Sequence, residues 1–405
     1  MENIWVGITE IWGYEPCMDW NDFCAITLNG HSYSRLALSA KISRILEQKN
    51  AKEWELAVYR FMAQWLDPSP LIEVTTSGST GTPKVLNMEK NAMCASALLT
   101  KNHFGLNARD KALLCLSADY IAGKMMIVRA FVIGLDLRLI APAAEPLKNS
   151  SLPKIKFAAM VPLQLETSLM KADFSTRSRY QRAFSKIDIL IVGGSPMRPA
   201  LYEALSQLKC CVYFTYGMTE TLSNIAVKRI DQEYRQRRFE VLPGIGIAKD
   251  ERDCMVVDAP SLGVARLHTN DIIDIDEHGH FEVLGRIDHV INTGSVKIIP
   301  ECVEKKIASL LAERRFFVFA RSDDRLHQKV SLLIEGEPFT GEEERALSAA
   351  IKVRVRPYEC PKSIEFLPEF TETLSGKPNR LATIERVTGG RNSLGQVQER
   401  PSEKR

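Results

Sequence analysis

The sequence has no long apolar run. The most hydrophobic stretch, Met125 to Leu135, is short and holds Arg129, well under the ~20 residues that cross a bilayer. It also lacks any excess of one charge. Lys plus Arg number 53 and Asp plus Glu 50, a formal net charge of +3, so nothing in the balance calls for nucleic acid or an acidic membrane surface as partner. Cysteine is present but unpatterned. Nine residues, at 17, 24, 94, 115, 210, 211, 254, 302 and 360, are scattered with no CxxC. That argues against a disulfide framework and against a structural zinc site. The opening MENIWVGITEIWGYEP is acidic and aromatic, unlike a signal or transit peptide. A cytoplasmic location is the expectation. What remains is 405 residues, 45% hydrophobic and 25% charged, the mix of a globular chain of two or three domains.

Two helices are expected first. Ser34 to Lys49 carries apolar residues at helical spacing behind a serine cap, and Ala51 to Leu66 is stopped by Asp67-Pro68. Short apolar strands then alternate with helical stretches. The strands are 71–75, 112–116, 137–141, 157–161, 187–192 and 211–215, and the helices are 91–99, 121–133 and 199–208. This alternation predicts an α/β fold with a mostly parallel sheet. Residues 239–285, broken by Gly, Pro and Asp, predict hairpins. A smaller α+β segment follows, and the polar stretch from Gly389 to Arg405 reads as a disordered tail.

The segment Thr75-Thr76-Ser77-Gly78-Ser79-Thr80-Gly81-Thr82-Pro83-Lys84 concentrates the materials of a phosphate cradle. Glycines let backbone N–H groups close around an anion, hydroxyls add donors, and the lysine adds charge. It is not a Walker loop, because Pro83 separates Gly81 from Lys84 and Val85 follows. Read singly, the other candidate residues have plain alternatives. Gly193-Gly194 fits a strand-end turn, Glu220 a helix-start carboxylate, Asp271 and Asp288 solvated turn residues, and Lys377 a surface lysine.

Taken in order, the motifs resemble those of the adenylate-forming (acyl-CoA synthetase, AMP-binding) superfamily. The 75–84 loop resembles its phosphate loop, and Ile191 to Pro196 its Gly-Gly turn. Tyr216-Gly217-Met218-Thr219-Glu220 is similar to its Tyr-Gly-x-Thr-Glu signature. Asp271 resembles the ribose-binding aspartate, Gly285-Arg286-Ile287-Asp288 the hinge, and Ser375 to Arg380 the loop with the catalytic lysine. The resemblance implies a large N-terminal domain (1–286) of mostly parallel sheet with flanking helices and a small strand-rich subdomain. A small mobile α+β C-terminal domain (287–388) would follow, then the tail (389–405). It implies ATP/AMP contacts from residues 75–81, Lys84, Gly193, Gly194, Ser195, Tyr216, Gly217, Asp271 and Arg286. Catalytic roles fall to Thr219, Glu220 and Lys377, with Glu220 on Mg²⁺. Asp288 would be the hinge, and Thr293, Gly294 and Ser295 would border the coenzyme A tunnel. Two departures stand out. Ser295 replaces a frequent glycine, and Asn270 replaces the glycine of a Thr-Gly-Asp element, where tolerance of positive φ would preserve the turn.

Asp119-Tyr120-Ile121-Ala122-Gly123-Lys124-Met125-Met126-Ile127-Val128-Arg129 further resembles compact bacterial o-succinylbenzoate–CoA ligases of menaquinone synthesis. That resemblance implies an acyl pocket bordered by Tyr120 and Gly123, with a cation for the distal carboxylate. A second buried carboxylate needs such a cation. Lys124 and Arg129 lie about 140° apart on a helix, and a planar fork favours Arg129. The expected partners are ATP, coenzyme A and a small carboxylic acid, and the oligomeric state is open. Three alternatives stay open: a ligase for another aryl or short-chain acid, a carrier-protein loader, and a non-catalytic nucleotide-binding relative.

Overall fold

The computed structural model describes residues 19–75, 85–148, 151–170, 174–231, 235–311, 314–372 and 378–388. The first part of the chain forms β1 (Ile26–Leu28), β2 (His31–Tyr33), α1 (Arg35–Leu46), α2 (Glu53–Leu66), β3 (Leu71–Thr75), β4 (Val85–Glu89) and α3 (Lys90–Phe104). Next come β5 (Lys111–Leu114), α4 (Ile121–Ile133), β6 (Asp136–Leu139), β7 (Ile155–Met160), α5 (Pro162–Leu169), α6 (Phe174–Phe184), β8 (Ile187–Val192), α7 (Pro199–Leu205), β9 (Cys211–Gly217) and β10 (Asn224–Arg229). Short antiparallel strands follow: β11 (Glu240–Val241), β12 (Gly246–Lys249), β13 (Cys254–Ala259), β14 (Val264–Ile275) and β15 (Phe281–Arg286). The last part holds β16 (Ile291–Thr293), β17 (Val296–Ile298), α8 (Pro300–Ile307), β18 (Phe316–Asp323), β19 (His327–Glu335), α9 (Gly341–Arg354), β20 (Ser363–Leu367) and α10 (Arg380–Thr388).

Among the described residues the main sheet has nine strands in the order β11-β10-β9-β8-β7-β5-β6-β1-β2. From β9 to β1 the pairings are parallel, and the edges are antiparallel. The central strands β5, β7 and β8 bury apolar residues on both faces over most of their length, as burial beneath helices on each side requires. Alternate residues serve two different cores. Ala112, Leu114, Phe157, Ala159 and Ile191 pack with α2, α3 and α4. Leu113, Cys115, Ala158, Met160, Leu190 and Val192 pack with α5, α6 and α7. The expected α/β architecture with a mostly parallel sheet is therefore observed, and 246–286 forms a four-stranded antiparallel sheet, β12-β13-β14-β15.

Local sequence accounts for the helices nearest the site. In α1 the Ser34 hydroxyl accepts the Ala37 amide at 3.4 Å, and Leu38, Ile42 and Ile45 face inward. The carbonyl end of α2 is closed by a buried lysine rather than by solvent. Lys90 Nζ donates to the Trp65 and Asp67 carbonyls at 3.1 and 2.6 Å and sits 3.8 Å from the Trp20 ring centroid. Burial pushes its pKa down to about 8. In α4 every residue from Gly123 to Ile133 is buried, so this helix lies within the core and ends on the left-handed Gly134.

Some elements differ from the sequence-based expectation. Residues 71–75 do not join the main sheet but pair with β4 in a separate antiparallel hairpin. The hairpin β1–β2, the helices α5 and α6, and the antiparallel β10 were not anticipated. The region after Ile287 has its own hydrophobic clusters, one spanning Ile291 to Cys360 and one built on Phe317, Phe319, Leu333 and Phe370. Among the described residues no helix is long and apolar enough to cross a membrane.

Candidate active site

Parallel strands deliver their following loops to one edge of the sheet. Here that edge gathers the turn after β5 (117–120), Val161 after β7, Gly193-Gly194-Ser195 after β8, and Tyr216 to Glu220 at the end of β9. From β5 the chain moves one way, through α4 to β6, and then returns to place β7 on the other side. The crevice between β5 and β7 is thus a topological switch point, where open α/β sheets bind ligands.

Beside this edge lies a connected polar cluster. Asp271 and Arg286 are directly opposite in the β14–β15 ladder. Tyr216 Oη donates to Asp271 at 2.6 Å, and Arg286 Nη1 donates to the other Asp271 oxygen at 3.2 Å. Burial and the Asp271 charge raise the Tyr216 pKa far above the ordinary phenol value. Arg286 also grips Asp288, through Nη2 at 2.6 Å and Nε at 3.2 Å. Asn270 closes the set, with Nδ2 at 3.0 and 3.3 Å from the two Asp288 oxygens. The expectation of a positive-φ turn at Asn270 is corrected here. The residue lies inside β14 and is absent from the left-handed positions, so its amide is a donor and its backbone is ordinary strand.

The turn after β9 is shaped by close approach. A Cβ at Gly217 would lie 1.9 Å from the Ser223 carbonyl oxygen, so only glycine fits. The buried Thr221 hydroxyl accepts the Met218 amide at 3.0 Å and lies 3.0 Å from the Ser223 carbonyl, to which it donates. Leu222 is held at φ 63, a strained conformation for leucine that the surrounding contacts impose. Thr219 is half-buried and Glu220 is exposed on the rim.

The acyl-pocket candidates separate clearly. Arg129 is 1% exposed. Its Nη2 donates to Ser223 Oγ at 2.7 Å and Asn224 Oδ1 at 3.0 Å, and its Nε to Thr100 Oγ1 at 3.2 Å. Nη1 meets only the Met126 sulfur, at 3.7 Å. Among the described residues no carboxylate pairs with it, and burial pushes its pKa down to about 10. The adjacent Asn224 Nδ2 is buried without a hydrogen-bond partner. A wholly buried guanidinium held only by neutral acceptors is costly unless an anion completes it. Lys124 points elsewhere, with Nζ 4.9 Å from the Phe61 ring centroid. Tyr120 is half-buried at the start of α4. Gly123 has a packing role, since a Cβ there would lie 2.1 Å from the Ser117 carbonyl oxygen. Sequence reasoning missed Ser223 and Asn224. Their only signal is that they follow the Tyr216–Glu220 motif.

Thr76, Ser77, Gly78, Ser79, Thr80, Gly81, Lys84 and Lys377, with the tail 389–405, lie outside the described residues. Thr75 ends β3 in register with Val85. Around Lys377, Glu372 pairs with Pro378, and the Asn379 amide donates to the Thr371 carbonyl at 2.7 Å. Glu372 meets Arg315 at 2.5 Å, and Arg380 binds Glu304 and, at 3.2 Å, Glu301. Thr293 ends β16 opposite Val296, and Gly294 and Ser295 form the β16–β17 turn, with Gly294 at φ 59. Ser295 is exposed there. Among the described residues no cluster of three or more His, Cys, Asp or Glu could hold a metal. Mg²⁺ commonly takes one or two carboxylates together with substrate phosphates, and the rim position of Glu220 fits that donor set.

A family model described as AMP-binding enzyme matches residues 34–268. The chain belongs to the AMP-binding enzyme family. It is similar to a probable 2-succinylbenzoate–CoA ligase of Mycobacterium tuberculosis, 26% identical, with 81% of this chain and 87% of that protein covered. A 2-succinylbenzoate–CoA ligase of Bacillus cytotoxicus is 25% identical, covering 75% and 67%. The solved structure of an AMP-forming acyl-CoA synthetase/AMP-acid ligase II-like protein from Dyadobacter fermentans is 32% identical, with TM-score 0.56 and coverage of 87% and 98%. O-succinylbenzoate coenzyme A synthetase from Bacillus subtilis, solved with ATP and magnesium ion, shares the fold at TM-score 0.70 and 17% identity, covering 90% and 99%. This AMP-binding enzyme is an AMP-forming ligase of the acyl-CoA synthetase kind, in agreement with the expectation from its motifs.

Proposed function

We propose that the enzyme adenylates 2-succinylbenzoate and passes the acyl group to coenzyme A, a step of menaquinone synthesis. The carboxylate oxygen attacks the α-phosphorus of ATP and pyrophosphate leaves. The coenzyme A thiol then attacks the acyl carbon, and AMP leaves with the bonding pair. A carboxylate is a poor acyl donor, and the mixed anhydride supplies a good leaving group. The observation that carries the substrate reading is Arg129, buried against Ser223 and Asn224 just beyond the β9 motif and beside the orphaned Asn224 amide, where a second carboxylate would complete the charge.

In this reading the 75–84 loop with Lys84 holds the β- and γ-phosphates, and Asp271, set by Tyr216 and Arg286, accepts the ribose hydroxyls. Gly193, Gly194 and Ser195 border the adenine and the acyl group. Glu220 would hold Mg²⁺, which neutralises phosphate charge when bound. Lys377 stabilises charge at the α-phosphate, the kind of aimed donor that dominates such steps. Residues 287–388 act as a small domain that turns about Asp288, so that Lys377 serves the first half-reaction and the 293–295 turn the second.

An ATP–pyrophosphate exchange screen over carboxylic acids tests this. Exchange is expected with 2-succinylbenzoate above benzoate, short-chain acids and amino acids. Exchange with another aryl acid alone would overturn the substrate and leave adenylation standing. Absence of exchange with every acid would overturn both.

A further inference from the structure

Asp288 is held from two directions by the strand pair it leaves. Arg286, the last residue of β15, reaches it with Nη2 and Nε at 2.6 and 3.2 Å, and the same guanidinium holds Asp271 at 3.2 Å. Asn270, next to Asp271 in β14, reaches both Asp288 oxygens at 3.0 and 3.3 Å. A glycine at 270 has no donor to make that contact. The backbone gives asparagine no other reason to be there, since 270 is ordinary strand.

We infer that Asn270 is a positioning residue that latches Asp288 onto the β14–β15 pair in one orientation of the region that follows. It thereby sets the balance between adenylation and acyl transfer. This rests on the reading that residues 287–388 turn about Asp288 between half-reactions. Both contacts from the Asn270 amide nitrogen to the Asp288 oxygens exist only while Asp288 keeps its present position. Removing the amide therefore lowers the population of this orientation relative to any other. Asp288 is 43% exposed at its side chain, so the latch is weakened by solvent. A shift of roughly three- to tenfold is the scale for one such charge-assisted contact.

The test uses the full chain with Asn270→Gly and Asn270→Asp. Single turnovers from ATP plus acid, and from pre-formed acyl-adenylate plus coenzyme A, give one rate constant for each half-reaction. Their ratio should move by roughly three- to tenfold in Asn270→Gly. It should move further in the same direction in Asn270→Asp, where carboxylate faces carboxylate. Amide hydrogen exchange at 286–290 should be faster in both variants. A ratio held at the native value while both rates fall together would make Asn270 merely structural and overturn the inference. Unchanged exchange at 286–290 would overturn it as well. Should the native enzyme form no adenylate from any acid, the functional reading fails, and the exchange measurement still decides the latch.

Discussion

Replacing Arg129 by alanine tests the acyl pocket most sharply. The side chain is wholly buried, and its acceptors are Ser223, Asn224 and Thr100. If the distal carboxylate of 2-succinylbenzoate pairs with it, Arg129→Ala leaves that charge buried without a partner. Truncating one member of such a pair costs roughly 2–5 kcal/mol, or about 30- to 5000-fold in kcat/KM. The assay is pyrophosphate release with 2-succinylbenzoate and with a benzoylpropionate analogue that lacks the ring carboxylate. The native enzyme should use the analogue poorly, and Arg129→Ala should barely alter that poor rate, because each change removes the same pair. The substitution also strips three polar neighbours of a partner, so Tm should fall whichever substrate is used. Only the substrate-specific part bears on recognition. Equal damage with both substrates would refute direct pairing and leave Arg129 as a strut between α4, α3 and the 223–224 turn.

Lys377→Ala should slow adenylation by about 10²–10³, the scale of one aimed donor, while acyl transfer from pre-formed adenylate stays near native; equal loss in both would contradict alternation. Glu220→Gln should raise the Mg²⁺ concentration needed for half-maximal adenylation, with circular dichroism unchanged. An unaltered Mg²⁺ titration would remove Glu220 from the metal site. Lys90 binds fewer protons when folded, its pKa falling from 10.5 to about 8. The cost of burying its charge is thus fully present below pH 8 and is relieved as pH rises toward 10.5. Chemical denaturation of the native enzyme and Lys90→Met should therefore show the difference moving in the native enzyme's favour across that window; a difference constant with pH would contradict the burial argument.

Much of the architecture was legible because most of the central parallel strands are short, largely apolar runs with turn residues at their ends. Helix 121–133 was read to the residue, since Gly134 stops it and the strand pattern resumes at once. Other elements hid for physical reasons. Helix α6, Phe174–Phe184, is crowded with Ser, Thr and Arg, and among the described side chains its buried ones are Tyr180, Ala183 and Phe184. The β3–β4 hairpin looked like one strand of the parallel sheet, because partner choice is not written in a five-residue alternation. At the site, the 216–220 motif and Asp271 were legible as residues, and the Tyr216–Asp271 bond joins two of them. The environment of Arg129 was not. Its partners Ser223 and Asn224 lie 94 and 95 residues away and Thr100 lies 29 away, and only folding brings them to one guanidinium. Asn270 was read through its backbone tolerance, whereas its side chain is what acts.

The most direct test of the central claim is a comparison, on the native enzyme, of kcat/KM for coenzyme A-dependent AMP formation from 2-succinylbenzoate and from the benzoylpropionate analogue. A buried cation that requires the second carboxylate predicts a preference for the dicarboxylate of at least about 30-fold. Equal use of the two acids, or preference for the monocarboxylate, would contradict recognition by Arg129 and with it the assignment of 2-succinylbenzoate.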